Sequence, residues 1–154
     1  MHTVSIARRA LAATAMLLMT LLAAAAPPAV RFFDESTWAH LTRQLHRPAA
    51  VVFTTTDCAY CPAVVDGLAR WSRNAPGAVI VVVMDPVETP AALLNDPHYR
   101  QAQAVYVFDG APLALRHSVD PGWRGETPFV ALLARDGHVR YVRGLPDAAA
   151  LGEL

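Results

Sequence analysis

The chain has 154 residues, 13 arginines, no lysine and 13 acidic groups, so its formal net charge is zero. That length suits one domain. No basic run or aromatic–basic stripe marks a nucleic-acid footprint, so nucleic acid is not an expected partner.

Residues 1–26 read as a leader. Arg8 and Arg9 supply a positive start, the stretch from Ala10 to Ala26 carries no charged side chain, and Ala23-Ala24-Ala25-Ala26 precede Pro27 and Pro28. This order fits a secretory signal peptide cut near Ala25, which makes the mature protein an exported one spanning residues 27–154. The rival reading is an uncleaved membrane anchor, for which the run is short against the roughly 20 apolar residues of a span. No cysteine lies near the site to take a lipid. Of the 13 arginines two lie in the leader, which leaves 11 against 13 acidic groups, a charge of −2.

A first helix is expected over Asp34 to Leu45. Asp34 or Ser36 can cap it, and Trp38, Leu41 and Leu45 share one face. Residues 49–55 are apolar and rich in β-formers, as a buried strand requires. A second helix follows with Cys61, Val64, Val65, Leu68 and Trp71 in one stripe, and it stops at Asn74-Ala75-Pro76-Gly77. Residues 78–84 read as another buried strand, so 49–84 form a βαβ unit with a right-handed crossover. A helix is expected around 91–104. Residues 105–108 and 113–115 flank Asp109-Gly110 and read as a hairpin. Residues 127–133 and 138–143 flank Asp136-Gly137 and read as an antiparallel hairpin ended by Gly144. A short helix closes the chain over 146–154. These elements predict an α/β fold with a central mixed sheet flanked by helices.

The two cysteines of the chain stand as Cys58-Ala59-Tyr60-Cys61, where a strand gives way to a helix. A lone pair at this spacing closes too short a loop to staple a fold, so a redox role is the better use of it. Unpaired N–H groups and the dipole at a helix start favour a thiolate. The two-residue spacer lets one sulfur attack the other, so a mixed disulfide resolves within one molecule. Cys58, ahead of the helix, is the expected nucleophile, and Cys61, turned inward, the resolving thiol. Pro62 is tolerated in the first turn and should leave the Cys58 carbonyl without its usual helical donor. Two other uses of the pair stay open: half of a zinc site and an inert disulfide. Zinc normally needs four ligands, and His40, His46, His98, His117 and His138 show no ligand spacing.

Strand–C-x-x-C–helix over Phe53 to Leu68, Thr127-Pro128 opening a strand, and the Gly-ended hairpin Asp136 to Gly144 together resemble the thioredoxin superfamily. Within it they resemble the exported TlpA-type thiol–disulfide oxidoreductases, as does Val119-Asp120-Pro121-Gly122-Trp123. The likeness covers most of residues 32–154. It implies a thioredoxin-like fold, a periplasmic location and a cis peptide before Pro128 beside the cysteines. It further implies that Thr127 and Pro128 bind an extended substrate segment, with Tyr60 of the exposed spacer touching the partner.

The implied activity is disulfide exchange on exported proteins bearing a cysteine pair. No cofactor is needed, and a second redox protein, membrane-bound in many TlpA-type systems, supplies or takes the electrons. Three departures from the wider family matter. Asp57 stands where thioredoxin has Trp, Val52 where it has a buried Asp, and Ala-Tyr where strongly oxidising relatives carry a His in the spacer. The missing His and the negative Asp57 both disfavour a thiolate and point to a reductant. A metallochaperone holding copper(I) on the same cysteines is the alternative from another class. A peroxidase of the same fold is disfavoured, since no surrounding Thr and Arg pattern is present to activate a peroxide. Trp71 and Trp123 read as packing residues.

Overall fold

The computed structural model describes residues 29–154. The leader read over residues 1–26 lies outside the described residues. Among the described residues no helix is long and apolar enough to cross a membrane.

The strands are β1 (Val30–Phe33), β2 (Ala49–Thr54), β3 (Ala78–Val83), β4 (Ala104–Phe108), β5 (Phe129–Leu133) and β6 (Val139–Arg143). The α-helices are α1 (Thr37–Gln44), α2 (Cys61–Asn74), α3 (Pro112–Val119) and α4 (Ala148–Gly152). All six strands form one sheet in the order β1-β4-β3-β2-β5-β6. The β1–β4, β4–β3 and β3–β2 pairs are parallel, and β2–β5 and β5–β6 are antiparallel. The expected mixed α/β sheet is therefore present.

Period-two side-chain alternation sorts the core into two layers. From β2, Ala49, Val51 and Phe53 face the layer of α1 and α3, where Trp38, Leu41, Leu115 and Val119 pack. Ala50 and Val52 face the layer of α2, where Val64, Val65 and Leu68 pack. Every residue of β2 and β3 is buried. This explains their unbroken apolar sequence, because a central strand needs oil on both faces. α1 begins where the Asp34 carboxylate accepts the N–H groups of Ser36 and Thr37, both at 2.9 Å.

The middle of the chain departs from expectation. Residues 91–104 are not one α-helix. Two 3-10 turns, Pro90–Asn95 and Tyr99–Gln101, strap across the α2 layer, and Ala104 already opens β4. Pro97 interrupts the helical pattern between the turns, since it offers no N–H to a helix. The expected hairpin around Asp109-Gly110 is also absent. Its first arm is β4, paired in parallel with β1 and β3, and its second is α3. Asp109-Gly110 is the turn from strand to helix, with Gly110 at φ 144°. Pro112 starts α3, and Leu115 and Val119 lie buried one turn apart. β1 has no counterpart among the expected elements; at four residues it is too short to show a period.

Candidate active site

β2 ends at Thr54, and seven residues later α2 begins at Cys61. The Thr54 carbonyl accepts the Met84 N–H at 2.9 Å, so the turn leaves the sheet from a fixed point. The turn then closes on itself: the Cys58 N–H donates to the Thr55 carbonyl at 3.3 Å, and the Cys61 N–H to the Cys58 carbonyl at 3.2 Å. Denied its usual helical donor by Pro62, as expected, the Cys58 carbonyl is satisfied instead by a three-residue turn. That proline occupies the first turn of α2, where its missing N–H costs nothing.

Cys58 and Cys61 are joined in a disulfide, with Cα atoms 5.4 Å apart. Cys58 is partly exposed, whereas Cys61 is 1 % exposed because α2 turns it into the helix layer. Tyr60, at the cap position of α2, is 79 % exposed. Val52 is fully buried in that layer.

Sheet pairing brings the second expected element to the same end of the molecule. In the β2–β5 register Phe53 lies opposite Phe129. Pro128, one residue earlier, therefore meets the end of β2 from which the chain departs toward Cys58. The Thr127–Pro128 peptide is cis. Pro128 is buried, and its carbonyl accepts the Gly144 N–H at 3.0 Å. Behind it Trp123 stacks on Phe129 at 4.4 Å and packs on Phe53 at 4.9 Å, while its indole N–H donates to the Glu126 carbonyl at 3.0 Å. Trp123 is therefore a packing residue that shapes the loop before Pro128, as expected.

Tyr60, Thr127 and Pro128 line one groove of about 570 Å3. Ala63 and Val64 of α2 form its floor together with Leu145. Arg143 and Glu126 stand on its rim, paired at 2.5 Å. That pairing and nearby backbone hydrogen bonds hold the Glu126 carboxyl below the usual range, the backbone bonds contributing most. Leu145, Glu126 and Arg143 were not singled out from the sequence. They reach the groove through the β5–β6 pairing, which no local pattern records. A second hollow, of about 430 Å3, lies at the far end of α2 around Trp71 and Leu151. It shares no residue with the groove.

The loop after β3 also reaches the site. Thr56 donates its N–H to one oxygen of Asp85 at 2.9 Å and its hydroxyl to the other. Tyr99 of the second 3-10 turn lies close to the buried Thr54 side chain, whose hydroxyl donates to the Thr55 carbonyl at 3.1 Å. Burial pushes its phenol up, and the Asp96 and Asp85 charges push the same way.

Fold and site together define an α/β protein of thioredoxin-like architecture, with a C-x-x-C disulfide at the start of a helix and a cis-proline at the same sheet end. No protein-family model and no curated protein matches the chain. Solved structures do match. One is a secreted Mycobacterium tuberculosis disulfide oxidoreductase homologous to E. coli DsbE, at 16 % identity and TM-score 0.51, over 70 % of this chain and 81 % of that one. Another is a thio-disulfide isomerase from Thermus thermophilus, at 23 % identity and TM-score 0.54, over 71 % and 78 %. At these identities the likeness establishes the shared fold.

Proposed function

We propose that the protein exchanges disulfides with partner proteins through Cys58 and Cys61, as a reductant in an exported, periplasmic setting. The observation that carries this reading is the asymmetric cysteine pair at the helix start, one sulfur open and one buried. In the reduced protein the Cys58 thiolate attacks one sulfur of a client disulfide, and the other client sulfur leaves as a thiolate. The Cys61 thiolate then attacks the Cys58 sulfur and expels the second client cysteine. The client gains two electrons and the protein ends with the Cys58–Cys61 disulfide. A second redox protein, such as a membrane-bound reductant, restores the dithiol, and no cofactor enters.

Tyr60, Thr127 and Pro128 would hold the client segment in the groove, with the backbone of Thr127 hydrogen-bonding an extended chain. The reductant direction rests on Asp57 beside Cys58 and on a spacer without His, since both leave the thiolate less stabilised.

Insulin reduction by dithiothreitol-recycled protein tests the reading. Wild type should turn over, and Cys58→Ser should fall to the uncatalysed rate. A wild type without turnover that binds copper(I) tightly would instead support the metallochaperone reading. Equilibration with glutathione tests the direction: a potential near about −120 mV, that of a strong oxidant, would overturn it.

A further inference from the structure

The turn that presents Cys58 is anchored from outside itself. Asp85 leaves the sheet directly after β3 and Met84, and both of its carboxylate oxygens are engaged by Thr56, one by the N–H and one by the hydroxyl. Thr56 stands two residues before Cys58, and the Met84–Thr54 hydrogen bond fixes the base of the same turn. Asp85 therefore grips the middle of a segment whose two ends are already held by β2 and α2.

The grip also adds a charge. Asp57, within the turn, is exposed and directly precedes Cys58, so the turn carries its own carboxylate beside the one bound to Thr56. Two other carboxylates are paired with bases. Glu126 and Arg143 on the groove rim neutralise one another, and Asp66 of α2 is engaged by His98. Asp96 lies with Asp85 near Tyr99 on the strap side. The turn itself, residues 55–60, carries no cation that could stabilise an ionised Cys58.

We propose that Asp85 is a positioning residue for the cysteine pair: it fixes the Cys58 turn through Thr56 and keeps a negative charge there that favours the disulfide over the dithiol. This rests on the exchange reaction proposed above and assigns its electron-donating bias to a residue outside the C-x-x-C motif. An ordinary turn cap would supply the hydrogen bonds alone, so charge and bonding must be separated.

Asp85→Asn retains an oxygen to accept the Thr56 N–H but removes the charge. Thr56→Val removes the hydroxyl bond but retains the charge. Both would be equilibrated with glutathione, titrated by thiolate absorbance in the reduced form, and assayed for insulin reduction. For Asp85→Asn the equilibrium should move toward the dithiol by about two- to fivefold, the size of one partly screened charge at short range. Its thiolate should form at lower pH than in wild type. For Thr56→Val the titration midpoint should stay in place while the reduction rate falls severalfold.

An Asp85→Asn variant with wild-type equilibrium and midpoint would overturn the role of the charge, and a Thr56→Val variant with wild-type rate would overturn the positioning role. Should Asp85→Asn fail to fold, Asp85→Glu, which keeps the charge and lengthens the reach, must keep the midpoint and lose rate for the proposal to stand. A wild type that reduces no insulin would overturn the exchange reading instead, while the absorbance titration of the same variants still decides whether Asp85 governs Cys58.

Discussion

At the residue scale, the site is made by differences in exposure and charge between near neighbours. α2 carries Cys61 inward and leaves Cys58 ahead of its first turn, so two identical side chains meet different solvents. Val52, fully buried on β2, puts a branched alkyl group at the position where the thioredoxins keep a carboxylate. Gly125 sets the course of the chain toward Thr127 and Pro128. Its φ is +99°, and a Cβ there would stand 2.9 Å from a guanidinium nitrogen of Arg116. Gly125→Ala should therefore cost roughly 1–3 kcal/mol, by forcing a side chain into a left-handed conformation. Urea unfolding should register that loss, and the insulin assay should show a raised KM as the loop before Pro128 shifts.

The cysteine pair was legible from the sequence because its members are three residues apart and flanked by a strand and a helix. Asp85 and Leu145 were not, because each reaches the site only through strand pairing with distant segments.

At the element scale, the instructive segment is the pair of 3-10 turns between β3 and β4. A helix is expected there in spite of the prolines, but Leu93 and Tyr99 are buried against the sheet one turn each at a time. The strap is tied to α2 on the outside: His98 Nδ1 lies 2.8 Å from Asp66, and the Gln101 amide donates to the same carboxylate oxygen at 2.5 Å. The hydrogen bond with Asp66 raises the His98 pKa above its ordinary 6.5, and the same bond lowers Asp66 below 3.8.

The histidine's contribution is complete below pH 6.5 and fades as pH rises through its raised value. The carboxylate's contribution is complete above pH 3.8 and fades as pH falls through its lowered value. The strap is thus held best between these limits. Both side chains are about one-third exposed, at 33 % and 31 %, so screening leaves a contribution below about 1 kcal/mol. His98→Gln should lower stability at pH 5.5 by that amount and leave it nearly unchanged at pH 9, as thermal unfolding at the two pH values would show. The hairpin of β5 and β6 was legible because Asp136-Gly137 sits between two runs of strand formers, one unbroken and apolar and one mixed. The same dipeptide logic failed at Asp109-Gly110, where the following residues carry helical spacing behind a proline.

At the scale of the whole molecule, stability comes from a sheet oiled on both faces. Leu68 of α2 is fully buried among Ala50, Val52, Val65 and Val81. Leu68→Ala should cost about 2–5 kcal/mol from lost burial and the cavity left behind. Its denaturation midpoint should fall while the glutathione equilibrium of the folded protein holds, because the cysteine turn is anchored to β2 and β3 rather than to this side chain. The α/β class, a sheet covered on both faces, was legible from the continuous apolar runs of β2 and β3. The strand order was not, since β1 joins the far edge beside β4 and its short sequence says nothing of its partner.

The antiparallel junction of β2 with β5 has a consequence for the order of assembly. β2 can find β3 as soon as residue 83 has been made, but its other neighbour ends at Leu133. A chain halted before that point would present both sulfurs while lacking the proline wall and the groove beside them. Under the proposed exchange reaction, such a fragment should discriminate less among thiols and disulfides than the full chain does.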